Sequence, residues 1–372
     1  MASYEPTMLF PCRVDVGDRM RSRGDSGPMG SRSRGSQPSA RHIAQAPTLS
    51  RLAGLRPAAH VTVVRTGGLG DTILVLPTFE ILRAAYPGVT FTLVGSTWAE
   101  ALQPLVPFDA RVLHFDHAFP VAHRGGSEAE RGAHVLAASD VVIVYTATPA
   151  SDFVAHVRRA CSGPVLVWPV APSPGIHVAR HLASAVASVP SGPDALPTPT
   201  LRCPQQLRFR SRRWLDRQFG EGVRPVVIHP GAGGSRKRWP ARRFAELAVR
   251  LDAPVLLVEG PADTDACRKF AEALASSVPV VRATGVSLPR LAALLAESRG
   301  YIGNDSGVSH LAAALGAPTV AVFGPTDPAA WAPLGPQVYA VAPDGNAPWP
   351  TVDDVLTAAR RLAGGQMPGA GA

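Results

Sequence analysis

Gly303-Asn304-Asp305-Ser306-Gly307-Val308-Ser309-His310-Leu311-Ala312-Ala313-Ala314-Leu315-Gly316 is the stretch that decides the fold. Tyr301 and Ile302, just before it, read as a short apolar strand. The small polar turn then opens a helix of strong helix formers, which Gly316 stops. The first backbone N–H groups of that helix, around Ser306 and Gly307, have no partner within it and lie at the positive end of its dipole. They form a seat for a phosphate, and Gly307 lets a ligand come close to the backbone. The same residues also read as an ordinary helix start, with Asp305 or Ser306 as the cap.

Outward from this stretch the chain alternates strand and helix. Val61–Arg65 is a strand of the buried type. It is followed by the glycine turn Gly67-Gly68-Leu69-Gly70-Asp71 and by a helix from Thr72 to Ala85 that Pro77 kinks or resets. Further apolar strands fall at 91–95, 112–115, 141–145 and 165–168, with helices around Glu128–Ala138 and Asp152–Ala160. The alternation restarts at Val226–His229 and continues through Val255–Glu259, Val278–Arg282 and Thr319–Phe323. Continuous apolar strands separated by helices mean parallel sheets covered on both faces. The expected fold is α/β, two doubly wound Rossmann-like domains facing across a cleft. The expected divisions are a disordered basic tail at 1–57, an N-terminal domain at 58–188, a Pro/Ser/Gly-rich linker at 189–204, a C-terminal domain at 205–345, and a final helix and tail at 346–372. In such sheets, ligands sit beyond the carboxyl ends of the strands.

Composition narrows the class. The chain has 372 residues and a net charge of +9. Much of the excess lies in nine arginines before Pro57, from Arg13 to Arg56. A basic tail can meet an anionic membrane surface, but it reads first as a solvated extension. The remainder is mildly basic and shows no aromatic–basic interleaving of the kind that nucleic-acid grooves use, so no nucleic-acid partner is expected. Cys12, Cys161, Cys203 and Cys267 are scattered and form neither a disulfide framework nor a zinc motif. No apolar run is long enough to span a bilayer, and the first residues lack a signal-peptide pattern. The expectation is a cytoplasmic protein, with peripheral contact at the inner face of the membrane left open. Only Lys237 and Lys269 interrupt an otherwise all-arginine basic set, which draws the eye to Lys237.

Three constellations carry chemistry. Asp71, after Gly67, Gly68 and Gly70, is a carboxylate at a helix mouth. It is placed to accept a proton from a hydroxyl, or simply to cap the helix. His229-Pro230-Gly231-Ala232-Gly233-Gly234-Ser235-Arg236-Lys237-Arg238-Trp239-Pro240 is a glycine loop followed by a cationic cluster, suited to a diphosphate through Gly231, Ser235 and Lys237. Glu259-Gly260-Pro261-Ala262-Asp263-Thr264-Asp265 offers Glu259 or Asp263 to a ribose. Its Asp-Thr-Asp reads more simply as acids at a helix start than as a metal site. His310 lies one turn into the phosphate-seat helix, either toward a donor or in a structural hydrogen bond.

Taken in order, Gly67–Pro77, His229–Pro240, Gly303–Gly316 and Phe323–Pro328 resemble glycosyltransferase family 9, the ADP-heptose:lipopolysaccharide heptosyltransferase family. The resemblance runs from about Val61 to Ala342. It implies a GT-B architecture and a metal-independent, inverting sugar transfer with no cofactor. The partners it implies are a nucleotide-sugar donor, ADP-linked, and a glycan or glycoside acceptor. By position it makes Asp71 the general base and Lys237 a cation on the donor diphosphate. Ser306 and Gly307 become N–H donors to that diphosphate, Asp305 and His310 supports of the loop or sugar, and Asp263 a ribose contact. The basic tail lies outside the family pattern. A nucleotide-sugar epimerase of similar build and a non-catalytic nucleotide-sugar-binding protein are the rival readings.

Overall fold

The computed structural model describes residues 13–14, 52, 55, 58–119, 134–186, 197–274 and 278–364. It contains two parallel sheets, as alternating strands and helices require. The first runs β4-β3-β2-β5-β6, where β2 is His60–Arg65, β3 Thr90–Gly95, β4 Ala110–His114, β5 Val141–Thr146 and β6 Val165–Pro169. Its strands send alternate side chains to opposite faces. Val61 and Val63 join one apolar cluster with Phe79, Leu82 and Ile143, while Val64 joins another with Val142, Val144, Val154 and Val157.

The second sheet runs β1-β12-β11-β10-β7-β8-β9, with β1 at Arg13–Val14. Here β7 is Val226–His229, β8 Val255–Glu259, β9 Val280–Thr284, β10 Gly300–Asn304, β11 Thr319–Val322 and β12 Val338–Val341. The strand order reverses between β2 and β5 in the first sheet and between β7 and β10 in the second. A crevice opens at the carboxyl ends at such points. The three glycine-rich loops singled out in the sequence follow β2, β7 and β10. The topology therefore brings all of them to switch points.

Pro77 resets the first helix, as its missing N–H requires. The segment divides at Val75 into α1, Leu69–Leu74, and α2, Leu76–Ala85. The helix expected around Glu128–Ala138 lies largely outside the described residues.

Two expected divisions shift. The stretch before residue 58 is not wholly a free tail. Arg13–Val14 forms β1, pairing in parallel with Tyr339 and Ala340 of β12. Leu52 is 1% exposed within the core of the first lobe, and the Tyr86 hydroxyl donates to its carbonyl. The linker expected to run to 204 is bound by residue 201. Leu201 N–H donates to Ala314 O at 2.9 Å and Arg202 N–H to Leu105 O at 2.7 Å, so this crossing segment touches both lobes. The lobes also share an apolar cluster in which Leu69, Ile73, Leu102 and Leu105 meet Leu201, Leu215 and Leu311. Among the described residues no helix is long and apolar enough to cross a membrane.

If the first lobe takes in chain before residue 58, Leu52→Ala should lower its stability by about 2–4 kcal/mol, the cost of a buried Leu truncation. Urea unfolding checks this. A change within a few tenths of a kcal/mol would return Leu52 to the tail.

Candidate active site

The loops after β2, β7 and β10 converge on a cavity of about 700 Å³ between the lobes. One wall is α1. The opposite wall is α11, Gly307–Ala314, together with the loop after β7. The two helices meet through glycine. A Cβ on Gly307 would lie 2.7 Å from the Leu69 Cβ and 3.0 Å from the Gly70 nitrogen, and a Cβ on Gly70 would lie 3.0 Å from the His310 ring. The sequence reading gave Gly307 to ligand approach. The structure adds a stronger demand, because any side chain there would push the lobes apart.

Asp71 lines the cavity with its side chain 32% exposed, and both of its oxygens are engaged. Oδ1 accepts from Arg65 Nη2 at 2.5 Å, and Oδ2 accepts from the Gly68 N–H at 2.9 Å. The base and cap readings of this residue are therefore compatible. Gly67, at φ +133°, has no room for a Cβ beside the Asp71 carboxylate, so its role is to let that carboxylate fold back. Arg65, the last residue of β2, is 7% exposed and its Nε has no hydrogen-bond partner. Burial pulls its guanidinium below the ordinary value, with Asp71 and then Tyr145 opposing. A charge ending an otherwise apolar buried strand was the available signal for Arg65, and the sequence reading passed over it.

On the opposite wall Lys237 is not free. Its Nζ donates to Asp305 Oδ2 at 2.7 Å and lies 5.8 Å from the centre of the Trp331 ring. Thr326 Oγ1 donates to the same Asp305 oxygen at 2.8 Å. Asp305 is thus a buried clamp that aims the ammonium, and Lys237 has further N–H donors for a ligand. The Ser306 side chain does not cap α11. The first N–H groups of that helix, at Gly307 and Val308, lie at the cavity wall.

Asn304 explains how the loops hold together. It is fully buried, and its amide donates to Pro230 O at 2.9 Å and Gly231 O at 3.1 Å while accepting from the Trp239 N–H at 2.8 Å. One side chain thereby fastens the glycine loop after β7 to the end of β10. Within that loop, Gly233, Gly234 and Lys237 reach the cavity. Gly231 and Ser235 do not line it. Gly231 is buried against Asp263, and Ser235 is exposed in the short turn Ser235–Lys237.

Asp263 lines the cavity, and its carboxylate is already engaged there. Its Oδ2 accepts from His229 Nε2 at 2.9 Å and from the Gly260 N–H at 3.0 Å, and Oδ1 is pressed against Gly231. Burial alone would raise its carboxyl, but the His229 hydrogen bond and charge, Gly260 and Arg238 hold it below the ordinary value. Asp263 shapes the loop. Glu259, which ends β8 and pairs with Arg282, stands nearby on the cavity wall. Asp265 faces away into pairs with Arg268 and Lys269, so Asp-Thr-Asp is not a joint ligand set.

His310 is 4% exposed and lines the cavity where the two helices meet, and its Nδ1 has no hydrogen-bond partner. Burial pushes its imidazole down to about 4, against the pull of Asp305 and Asp71 and with the help of His177 and Lys237. It is neutral at pH 7. His177, missed in the sequence, latches the lobes through a 2.8 Å hydrogen bond to the Ala332 carbonyl.

The sequence model described as glycosyltransferase family 9 (heptosyltransferase) matches residues 167–354. The chain is 27% identical over 302 residues to lipopolysaccharide heptosyltransferase 2 of Escherichia coli strain K12, covering 74% of this chain and 85% of that one. It is 35% identical over 150 residues to lipopolysaccharide heptosyltransferase 3 of Escherichia coli, an alignment spanning 39% of this chain and 44% of that relative. In three dimensions it is similar to a family 9 glycosyltransferase from Veillonella parvula, with a TM-score of 0.71 at 20% identity over 84% of this chain and all of that one. A TM-score of 0.65 at 21% identity relates it to Escherichia coli ADP-heptose lipopolysaccharide heptosyltransferase II, over 83% of this chain and all of the other. These structural likenesses establish the two-domain GT-B fold.

The burial of His310 has a consequence for stability. Between pH 6.5 and about 4 the unfolded chain binds a proton at this residue that the folded chain refuses, so stability falls as the pH drops through that window. The full shift corresponds to roughly 3 kcal/mol. Denaturant unfolding at pH 7 and pH 4 should show a larger loss for the parent than for His310→Gln. Equal losses would mean that His310 protonates freely in the folded state.

Proposed function

The chain belongs to glycosyltransferase family 9, and from that premise we propose that it is an inverting transferase moving a sugar from a nucleotide donor to an acceptor hydroxyl, with Asp71 as general base. The observation that carries this reading is that Asp71 and the Lys237–Gly307 wall face one cavity from opposite lobes. The relatives described above are named as lipopolysaccharide heptosyltransferases, and one structural neighbour is named for ADP-heptose. For this chain the corresponding donor is ADP-heptose and the acceptor a cell-envelope glycan, used at the cytoplasmic face of the membrane.

In the proposed step the acceptor oxygen attacks the anomeric carbon and gives its proton to Asp71. The bond from that carbon to the diphosphate oxygen breaks on the opposite side, and its electron pair leaves with the diphosphate. Attack and departure in line invert the anomeric centre. Arg65 and the Gly68 N–H hold the Asp71 carboxylate in place, and each of its oxygens retains a lone pair for the incoming hydroxyl. The leaving charge meets Lys237, aimed by Asp305, and the N–H groups opening α11. Fixed donors of this kind stabilise developing charge without having to reorganise during the reaction. A neutral His310 adds no charge between base and leaving group. Glu259 and Asp263, both on the cavity wall, are the acids offered to the ribose in this reading.

The loop after β7 and the clamp of Asp305 on Lys237 are as much binding devices as catalytic ones, so the decisive variant removes the base alone. Asp71→Asn keeps an acceptor oxygen for the buried Arg65. It should leave the thermal shift by the nucleotide sugar intact while cutting transfer roughly 10²–10⁴-fold. The same assay in EDTA tests metal independence and should show full activity. Transfer undiminished in Asp71→Asn would overturn the mechanism. Sugar-nucleotide interconversion without acceptor would favour an epimerase, and binding without product across an acceptor screen would favour a non-catalytic protein.

A further inference from the structure

Helix α7, Gln205–Phe219, carries the sequence Gln-Gln-Leu-Arg-Phe-Arg-Ser-Arg-Arg-Trp-Leu-Asp-Arg-Gln-Phe, an aromatic–basic stretch that the charge reading of the whole chain missed. It buries only Ser211 and Leu215. Its two carboxylate partners are already taken. Glu297 accepts from Arg208 and Arg212 at 2.7 and 2.8 Å, and Asp216 pairs with Arg224 at 3.1 Å. Arg210, Arg213, Arg217 and Arg290 have no carboxylate partner among the described residues. They line a broad surface groove of about 970 Å³ with Phe209 and Trp214. Phe209 is 60% exposed, an unusual cost for a phenylalanine unless something covers it.

We propose that this face of α7 docks on an anionic lipid surface, with the four arginines on headgroup phosphates and Phe209 reaching the acyl boundary. A helix lying along the protein surface with arginines around an exposed aromatic ring has the form of an interfacial anchor. A single-stranded nucleic acid fits less well. It needs open ring faces for base stacking, whereas the Arg213 guanidinium lies 5.9 Å from the Phe209 ring centre and that of Arg290 5.7 Å from Trp214. One helix separates the groove from the cavity between the lobes. Helix α10, Leu288–Ala296, sends Arg290 into the groove and Leu288 and Leu291 into the cavity wall.

The test uses the full chain, with neither donor nor acceptor, so that its outcome is separate from the transfer reading. Co-sedimentation is measured with vesicles of phosphatidylcholine alone and with vesicles of equal phosphatidylcholine and phosphatidylglycerol. The parent should sediment with the anionic vesicles only. The triple variant Arg210→Gln, Arg213→Gln, Arg217→Gln should lose roughly tenfold or more of that partitioning, since each arginine near the surface contributes severalfold. Phe209→Ser should weaken binding while leaving its salt dependence unchanged, and these exposed substitutions should leave the thermal melting curve in place. Three results would overturn the proposal. One is no binding to anionic vesicles. Another is undiminished binding by the triple variant, which would assign the contact to the basic N-terminal residues. The third is a single-stranded oligonucleotide that binds more tightly than the vesicles and loses that binding in the same variant.

Discussion

Two helix N-termini meet face to face across the lobes, and they can do so only because Gly70 and Gly307 carry no side chains. Nearly everything in the site follows from this contact. It sets the Asp71 turn of the first lobe against the N-terminus of α11 in the second. It buries His310 where the helices meet and fixes the depth of the cavity between Asp71 and Lys237. The shared apolar cluster around Leu69, Leu201 and Leu311 and the His177 latch to Ala332 hold the approach from either side. A methyl group at either glycine would act on the spacing between the two lobes.

Around this contact the charged groups come in pairs: Asp71 with Arg65, Lys237 with Asp305, Asp263 with His229 and Glu259 with Arg282. Pairs of this sort are poor sources of net stability, because desolvating both charges offsets their attraction. Their value lies in orientation. An ammonium already aimed by a buried carboxylate, and a carboxylate already folded back by an arginine and a backbone N–H, do not have to be ordered when charge moves. The sequence named Asp71 and Lys237 but not Arg65, the partner that holds the first of them.

The architecture was legible because each strand and each breaker has a local cause. Apolar β-branched runs gave the strands, Pro77 the break at Val75, and the glycine turns their places after β2, β7 and β10. Asp71, Lys237, Asp305, Gly307 and His310 do meet in one cavity. The rest depended on partners distant in sequence. Nothing local to Asp263 announces that His229 will occupy it, and nothing near Gly231 and Ser235 says that one will be buried and the other turned outward. Asn304 and Thr326 matter only through contacts with other loops. The domain limits at 57 and 204 were read from composition, which cannot register a single buried Leu52 or two backbone bonds at Leu201 and Arg202.

In the proposed complex the diphosphate rests on the second lobe with its sugar turned toward Asp71 of the first. Diffraction from crystals of the chain grown with a bound nucleoside-diphosphate sugar tests it most directly. Phosphate oxygens are expected within hydrogen-bond distance of the Gly307 N–H and Lys237 Nζ, with the anomeric carbon on the Asp71 side of the cavity. A diphosphate seated away from α11, or a sugar pointing away from Asp71, would contradict it.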